Sequence, residues 1–162
     1  MRDASRPVGR VCRPPKDERR NFFARSRVST KYPLAIDQTM SILNGQRILV
    51  LEEQPSIGRL LLDMLEAMNC RVIGPATRIP EAFALLVEHD VDAAILDVKI
   101  EGQPSLPIAE ELLRRGIPWA FASANETDDL AHRYEDVPII TKPFSSDHIG
   151  NVLRSLLARN RS

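Results

Sequence analysis

From Gln46 onward, short apolar runs of β type alternate with stretches in which apolar residues recur every three to four positions. Arg47-Ile48-Leu49-Val50-Leu51 predicts a first strand, and the following helix carries Ile57, Leu60, Leu61, Met64, Leu65 and Met68 on one face. A second strand is predicted over Cys70 to Gly74. Pro80 then suits the first turn of a helix whose buried stripe is Ile79, Ala82, Phe83, Leu86 and Val87. Ala93-Ala94-Ile95-Leu96 has no polar position, the mark of a central parallel strand covered on both faces. Lys99 to Ser105 reads as a loop, leading into a helix over Pro107 to Arg115 that Gly116 closes with a left-handed C-cap. Trp119 to Ala122 is the fourth strand, Asp128 to Tyr134 a polar helix, and Val137 to Ile140 the fifth strand. Pro138 cannot donate a ladder hydrogen bond, which sends that strand to the sheet edge. The last helix, Ser146 to Arg159, buries Ile149, Val152, Leu153, Leu156 and Leu157. Alternating strands and helices joined by right-handed crossovers predict an α/β fold, a doubly wound five-stranded parallel sheet in the flavodoxin-like order 2-1-3-4-5 with helices on both faces.

Residues 1 to 45 do not share this pattern and are read as a basic N-terminal extension, disordered when alone, preceding a domain over 46 to 159. The 22 basic and 22 acidic groups balance over the chain, yet residues 1 to 39 hold 10 basic and 4 acidic ones, leaving 12 basic and 18 acidic in the remainder. Two readings stand for the extension. Met40 is the start of translation and the upstream stretch is not made, or the stretch is a basic arm for nucleic acid or a protein. For the folded part no nucleic-acid partner is expected. No apolar run approaches the roughly 20 residues of a spanning helix, and no apolar segment of the secretory kind follows the Arg-rich start, so a cytoplasmic protein without membrane contact is expected. Cys12 and Cys70, without CxxC spacing or a His cluster, read as free thiols.

In doubly wound sheets ligands bind beyond the carboxyl ends of the strands, and the polar residues of this chain fall there. Glu52-Glu53 follow strand one, Asp97 strand three, Ser123 strand four and Thr141-Lys142-Pro143 strand five. Clustered carboxylates repel one another unless a cation joins them, and oxygen-only ligation points to Mg²⁺. The metal, Lys142 and the Ser123 hydroxyl could then neutralise a phosphoryl group passing to a carboxylate. Asp97, alone at the end of the most buried strand, is the best nucleophile.

The runs Ile48-Leu49-Val50-Leu51-Glu52-Glu53-Gln54-Pro55, Ala94-Ile95-Leu96-Asp97-Val98, Ala122-Ser123-Ala124 and Thr141-Lys142-Pro143-Phe144 resemble, in order and spacing, the receiver domain of two-component response regulators. The resemblance implies phosphorylation of Asp97 by a histidine kinase or phosphotransfer protein, with Ser123 and Lys142 sensing the phosphate. It also implies Mg²⁺ held by Glu52, Glu53, Asp97 and the Lys99 backbone carbonyl. Lys99 and Asn125 occupy positions that in the family flank the attacking water and set phosphate lifetime. Gly116-Ile117-Pro118-Trp119-Ala120-Phe121-Ala122-Ser123 is similar to alphaproteobacterial single-domain receivers with a Pro-Phe-x-Phe-Ala-Thr-Gly motif, which partner kinases of the HWE/HisKA2 type; Trp119, Ser123 and Ala124 depart from that motif.

Two departures from the wider family matter chemically. Glu53 replaces an Asp and moves its carboxylate by about one bond length, where magnesium tolerates little geometric error. Ile139 stands at the switch position usually held by Tyr or Phe, and cannot carry a hydrogen bond inward. Singly, each polar residue could simply begin a loop or cap a helix, and His89, His132 and His148 read as solvated. Two functions therefore remain: a phosphorylation-controlled switch that is not an enzyme and signals to an unknown downstream protein by contact, or a receiver-like binding module with an altered acidic pocket that does not use phosphate.

Overall fold

The computed structural model describes residues 42–124 and 133–159. Its elements are β1 (Arg47–Leu51), α1 (Pro55–Ala67), β2 (Arg71–Ala76), α2 (Ile79–Glu88), β3 (Ala93–Asp97), β4 (Lys99–Ile100), β5 (Gln103–Pro104), α3 (Leu106–Arg115), β6 (Trp119–Ser123), β7 (Ile139–Thr141) and α4 (Ser146–Arg159). The main sheet runs β2-β1-β3-β6-β7 with every pairing parallel, which is the order expected from the sequence. Pro138 lies just before β7, the edge strand, and its carbonyl still accepts the Phe121 N–H at 2.9 Å.

The period-two geometry of the strands explains why β1 and β3 contain almost no polar residue. Ile48, Val50 and Ile95 point into one core with Leu61, Leu65, Ile149 and Leu153 of α1 and α4. Leu49, Leu51, Leu96 and Phe121 point the other way, against Ala82, Leu86, Ile108 and Leu112 of α2 and α3. Gly116 closes α3 at φ +68°, the left-handed cap that its position suggested. In β2, Gly74 has φ +102°, and a Cβ there would lie 2.7 Å from the Ala76 nitrogen and 3.0 Å from the Val50 carbonyl oxygen. Only glycine fits that close approach to β1.

The structure differs from the sequence reading in several places. Leu43 is buried and packs into the first core, and Gly45 N–H donates to the Asn69 carbonyl at 2.8 Å, so the folded part takes in residues assigned to the extension. Lys99 to Ser105 is not a plain loop. It contains the antiparallel hairpin β4–β5, whose connecting residues Glu101 and Gly102 have φ +51° and +75°. Leu60 and Val87, both predicted to be buried, are 45% and 78% exposed. The buried faces are set by Gly58, Leu61 and Leu65 in α1 and by Ala82 and Leu86 in α2. Leu60 and Val87 each stand about 100° around the helix from the nearest of these. Trp119 packs edge-on against Phe121 and Tyr134 at 6.4 and 5.9 Å, with its buried indole N–H unpartnered among the described residues. The helix expected over Asp128 to Tyr134 lies mostly outside the described residues, as do Cys12, Met40, Asn125 and His132.

Adjacent residues of α2 provide a test of this packing. Leu86→Ala is expected to cost about 2–5 kcal/mol of unfolding free energy, whereas Val87→Ala should stay within about 0.5 kcal/mol of the parent. Urea unfolding followed by circular dichroism checks both.

Candidate functional site

The carboxyl ends of β1, β3, β6 and β7 meet at one end of the sheet. Parallel register sets Leu51 beside Leu96, Asp97 beside Ala122 and Ser123 beside Thr141, so the residues that end these strands become neighbours. Backbone bonds continue the alignment past the strands: Val98 N–H donates to the Ala122 carbonyl at 3.2 Å and Lys142 N–H to the Ser123 carbonyl at 2.8 Å.

At the centre of this end, Lys142 Nζ donates to Glu52 Oε2 at 2.7 Å and to Asp97 Oδ2 at 3.0 Å. The three side chains are 16%, 1% and 14% exposed, so all are largely withdrawn from water. Glu52 Oε1 also accepts the Gln54 N–H at 3.0 Å. Burial alone lowers the tendency of Lys142 to hold its proton, but the hydrogen bonds to Glu52 and Asp97 outweigh it and raise the ammonium above the ordinary lysine value. The charge also lies 5.9 Å from the centre of the Phe144 ring.

The other candidates are placed around this trio. Ser123 is 4% exposed at the end of β6, and Ile139 opens β7 opposite Phe121. Lys99 is exposed on β4. Glu53, expected to join Glu52 and Asp97 around a metal, accepts the Glu101 N–H through its Oε2 at 2.5 Å, at the tip of the β4–β5 hairpin. Among the described residues no three His, Cys, Asp or Glu side chains are grouped closely enough to hold an ion. His89 and His148 are exposed. Burial pushes the Cys70 thiol up to about 11, which suits a core thiol rather than a nucleophile.

Glu101 is a residue that sequence reasoning missed. The available signal was Glu101-Gly102 between two short runs, a two-residue hairpin loop, but Glu is a poor indicator of positive φ.

No family model matches the chain. It is 28% identical over 120 residues to the transcriptional regulatory protein PdtaR of Mycobacterium tuberculosis, covering 72% of this chain and 58% of PdtaR; it therefore spans little more than half of that relative. The solution structure of SdrG from Sphingomonas melonis Fr1 superposes with a TM-score of 0.61 at 36% identity, over 71% of this chain and 98% of SdrG. The chain belongs to the response-regulator receiver family. The response regulator TrrA of Thermotoga maritima, solved in complex with Mg²⁺-BeF, shares the receiver fold at 23% identity and a TM-score of 0.59, over 69% of this chain and 99% of TrrA. SdrG is also represented in a BeF3-activated conformation.

The receiver's donor set is compatible with magnesium. Glu52 and Asp97 bring two carboxylates to the same end of the sheet, and Mg²⁺ is bound by one or two carboxylates with waters completing its shell.

Breaking the trio leaves Glu52 buried without its charge partner. Lys142→Met is expected to destabilise the domain by about 3 kcal/mol at neutral pH, and adding Glu52→Gln should recover part of that loss. Because the folded-state value of Lys142 is raised above 10.5, its contribution is complete below that pH and is lost as pH rises through the higher folded value. Urea unfolding of wild type and variant across the alkaline range checks the sign.

Proposed function

We propose that this receiver is a phosphorylation-controlled switch in which Asp97 accepts a phosphoryl group from a histidine kinase or a phosphotransfer protein. The observation that carries the reading is the bridge of Lys142 between Asp97 and the buried Glu52, at the end of the central strand of the sheet. An Asp97 carboxylate oxygen attacks phosphorus, a new P–O bond forms, and the donor's P–N bond breaks. Lys142 offsets negative charge on the phosphoryl oxygens, and the Ser123 hydroxyl, on the neighbouring strand, supplies a donor to them. Glu52, Asp97 and the Lys99 carbonyl would hold Mg²⁺, which when bound neutralises charge on the phosphoryl group. Water then attacks phosphorus, the bond between phosphorus and the Asp97 oxygen breaks, and inorganic phosphate leaves with the carboxylate restored; Lys99 and Asn125 are the residues that set the lifetime.

The chemistry of the domain is in this reading confined to its own phosphate, and the signal leaves by protein contact. The BeF3-activated form of SdrG supports this reading. The similarity of residues 116–123 to the Pro-Phe-x-Phe-Ala-Thr-Gly receivers extends the proposal to a kinase of the HWE/HisKA2 type. A cytoplasmic location belongs to the same proposal; among the described residues no helix is long and apolar enough to cross a membrane.

Incubation with Mg²⁺ and a small phosphodonor, followed by intact mass, tests the reading. Wild type and Asp63→Asn are expected to gain one phosphate and Asp97→Asn none. A wild type that gains no phosphate from either a small donor or a kinase would instead identify a phosphate-independent binding module.

A further inference from the structure

The hairpin that follows Asp97 is anchored unevenly. At its base Val98 and Ile100 are buried, and the Val98 carbonyl accepts both the Ser105 N–H at 2.9 Å and the Ser105 hydroxyl at 3.3 Å. Its tip, Glu101-Gly102, is exposed and turns through two positive φ angles, +51° and +75°. The left-handed conformation is cheap for Gly102 and unfavourable for Glu101. A non-glycine residue in that region persists when its surroundings hold it there. Glu53 reaches this tip, and its carboxylate accepts the Glu101 N–H at 2.5 Å across 48 positions of sequence. A charged acceptor on a backbone N–H is among the stronger kinds of hydrogen bond.

The surroundings of Glu53 point the same way. Glu53 and Glu101 line one cavity together with Thr77 and Arg78 at the start of α2, and neither Asp97, Ser123 nor Lys142 lines it. Glu52, one residue earlier, takes the opposite course and is buried against Lys142. Successive residues thus serve two different structures.

We infer that Glu53 is a positioning residue that clasps the tip of the Lys99–Pro104 hairpin, and is not a direct metal ligand. The clasp holds the segment that begins two residues after Asp97, and with it Lys99 and the main chain beside the phosphoacceptor. Its consequence for signalling rests on the reading of Asp97 given above, but its geometry does not. In this arrangement the carboxylate contributes through an acceptor oxygen, so a neutral acceptor of the same length substitutes for it, whereas a metal ligand depends on its charge.

The full chain with Glu53→Gln and Glu53→Ala separates these roles through two measurements that need no phosphate. These are amide hydrogen exchange at Glu101 in metal-free protein, and titration with Mg²⁺ alone followed by backbone amide NMR shifts. Glu53→Gln is expected to keep Glu101 exchange within about twofold of wild type and its Mg²⁺ dissociation constant within about threefold. Glu53→Ala should speed Glu101 exchange at least threefold while leaving the amides of β3 unchanged. The inference is overturned if Glu53→Gln weakens Mg²⁺ binding tenfold or more, or if Glu53→Ala leaves Glu101 exchange as it was. A wild type that binds no Mg²⁺ removes the metal from the proposed function and leaves the exchange comparison to decide the clasp. Loss of phosphate labelling at Asp97 with an intact exchange pattern would refute the proposed function alone.

Discussion

A buried carboxylate needs a cation beside it, because it cannot be withdrawn from water alone at an acceptable cost. Here Lys142 and Glu52 meet at 2.7 Å, and the same ammonium reaches Asp97 at 3.0 Å. This constraint ties the edge strand β7 to the two central strands. It also gives the end of the sheet its chemical character, since it sets two carboxylates against one positive charge while all three are largely enclosed. Structural requirement and proposed function are therefore carried by the same three side chains.

The sheet makes that meeting possible by being apolar on both faces. Ile48 and Val50 turn to α1 and α4, while Leu49 and Leu51 turn to α2 and α3, so β1 has no solvent face on which a polar residue could be carried. Charged groups are left to the strand ends. At the opposite end, Arg47 binds Asp92 and Asp90 through its guanidinium at 2.8 and 2.9 Å, an arrangement that fixes the start of β1 and is more open to water than the trio of Glu52, Asp97 and Lys142. The asymmetry between the two ends is what makes one of them a site.

Around the central trio the chain uses short polar contacts rather than core packing. Glu81 accepts from the Thr77 N–H at 2.9 Å and the Thr77 hydroxyl at 3.0 Å, fixing the entry to α2, with its own carboxyl held down to about 2, first by the Thr77 backbone and then by Arg78. Glu53 fixes the β4–β5 tip in a comparable way from another element. Such contacts lie at the rim of the domain, outside the apolar core that fixes the sheet.

Much of the architecture was legible in the sequence because its signals are local. A β-type run such as Ala93–Leu96, the 3.6-residue period of Ser146–Arg159 and a glycine after Arg115 each describe an element without reference to anything distant, and each stands where it was expected. The grouping of Glu52, Asp97 and Lys142 was legible too, since a parallel doubly wound sheet brings its strand ends together whatever the side chains do. The direction in which Glu53 turns was not, because its acceptor is an N–H that exists only once Glu101 has adopted φ +51°. Nor was the exposure of Leu60 and Val87, which depends on how far each helix is rotated against the sheet. The order of strands and the identity of the central charges follow from patterns carried in the chain itself, whereas side-chain direction at the rim and helix rotation are decided by contacts between segments far apart in sequence, which arise only when the whole domain packs.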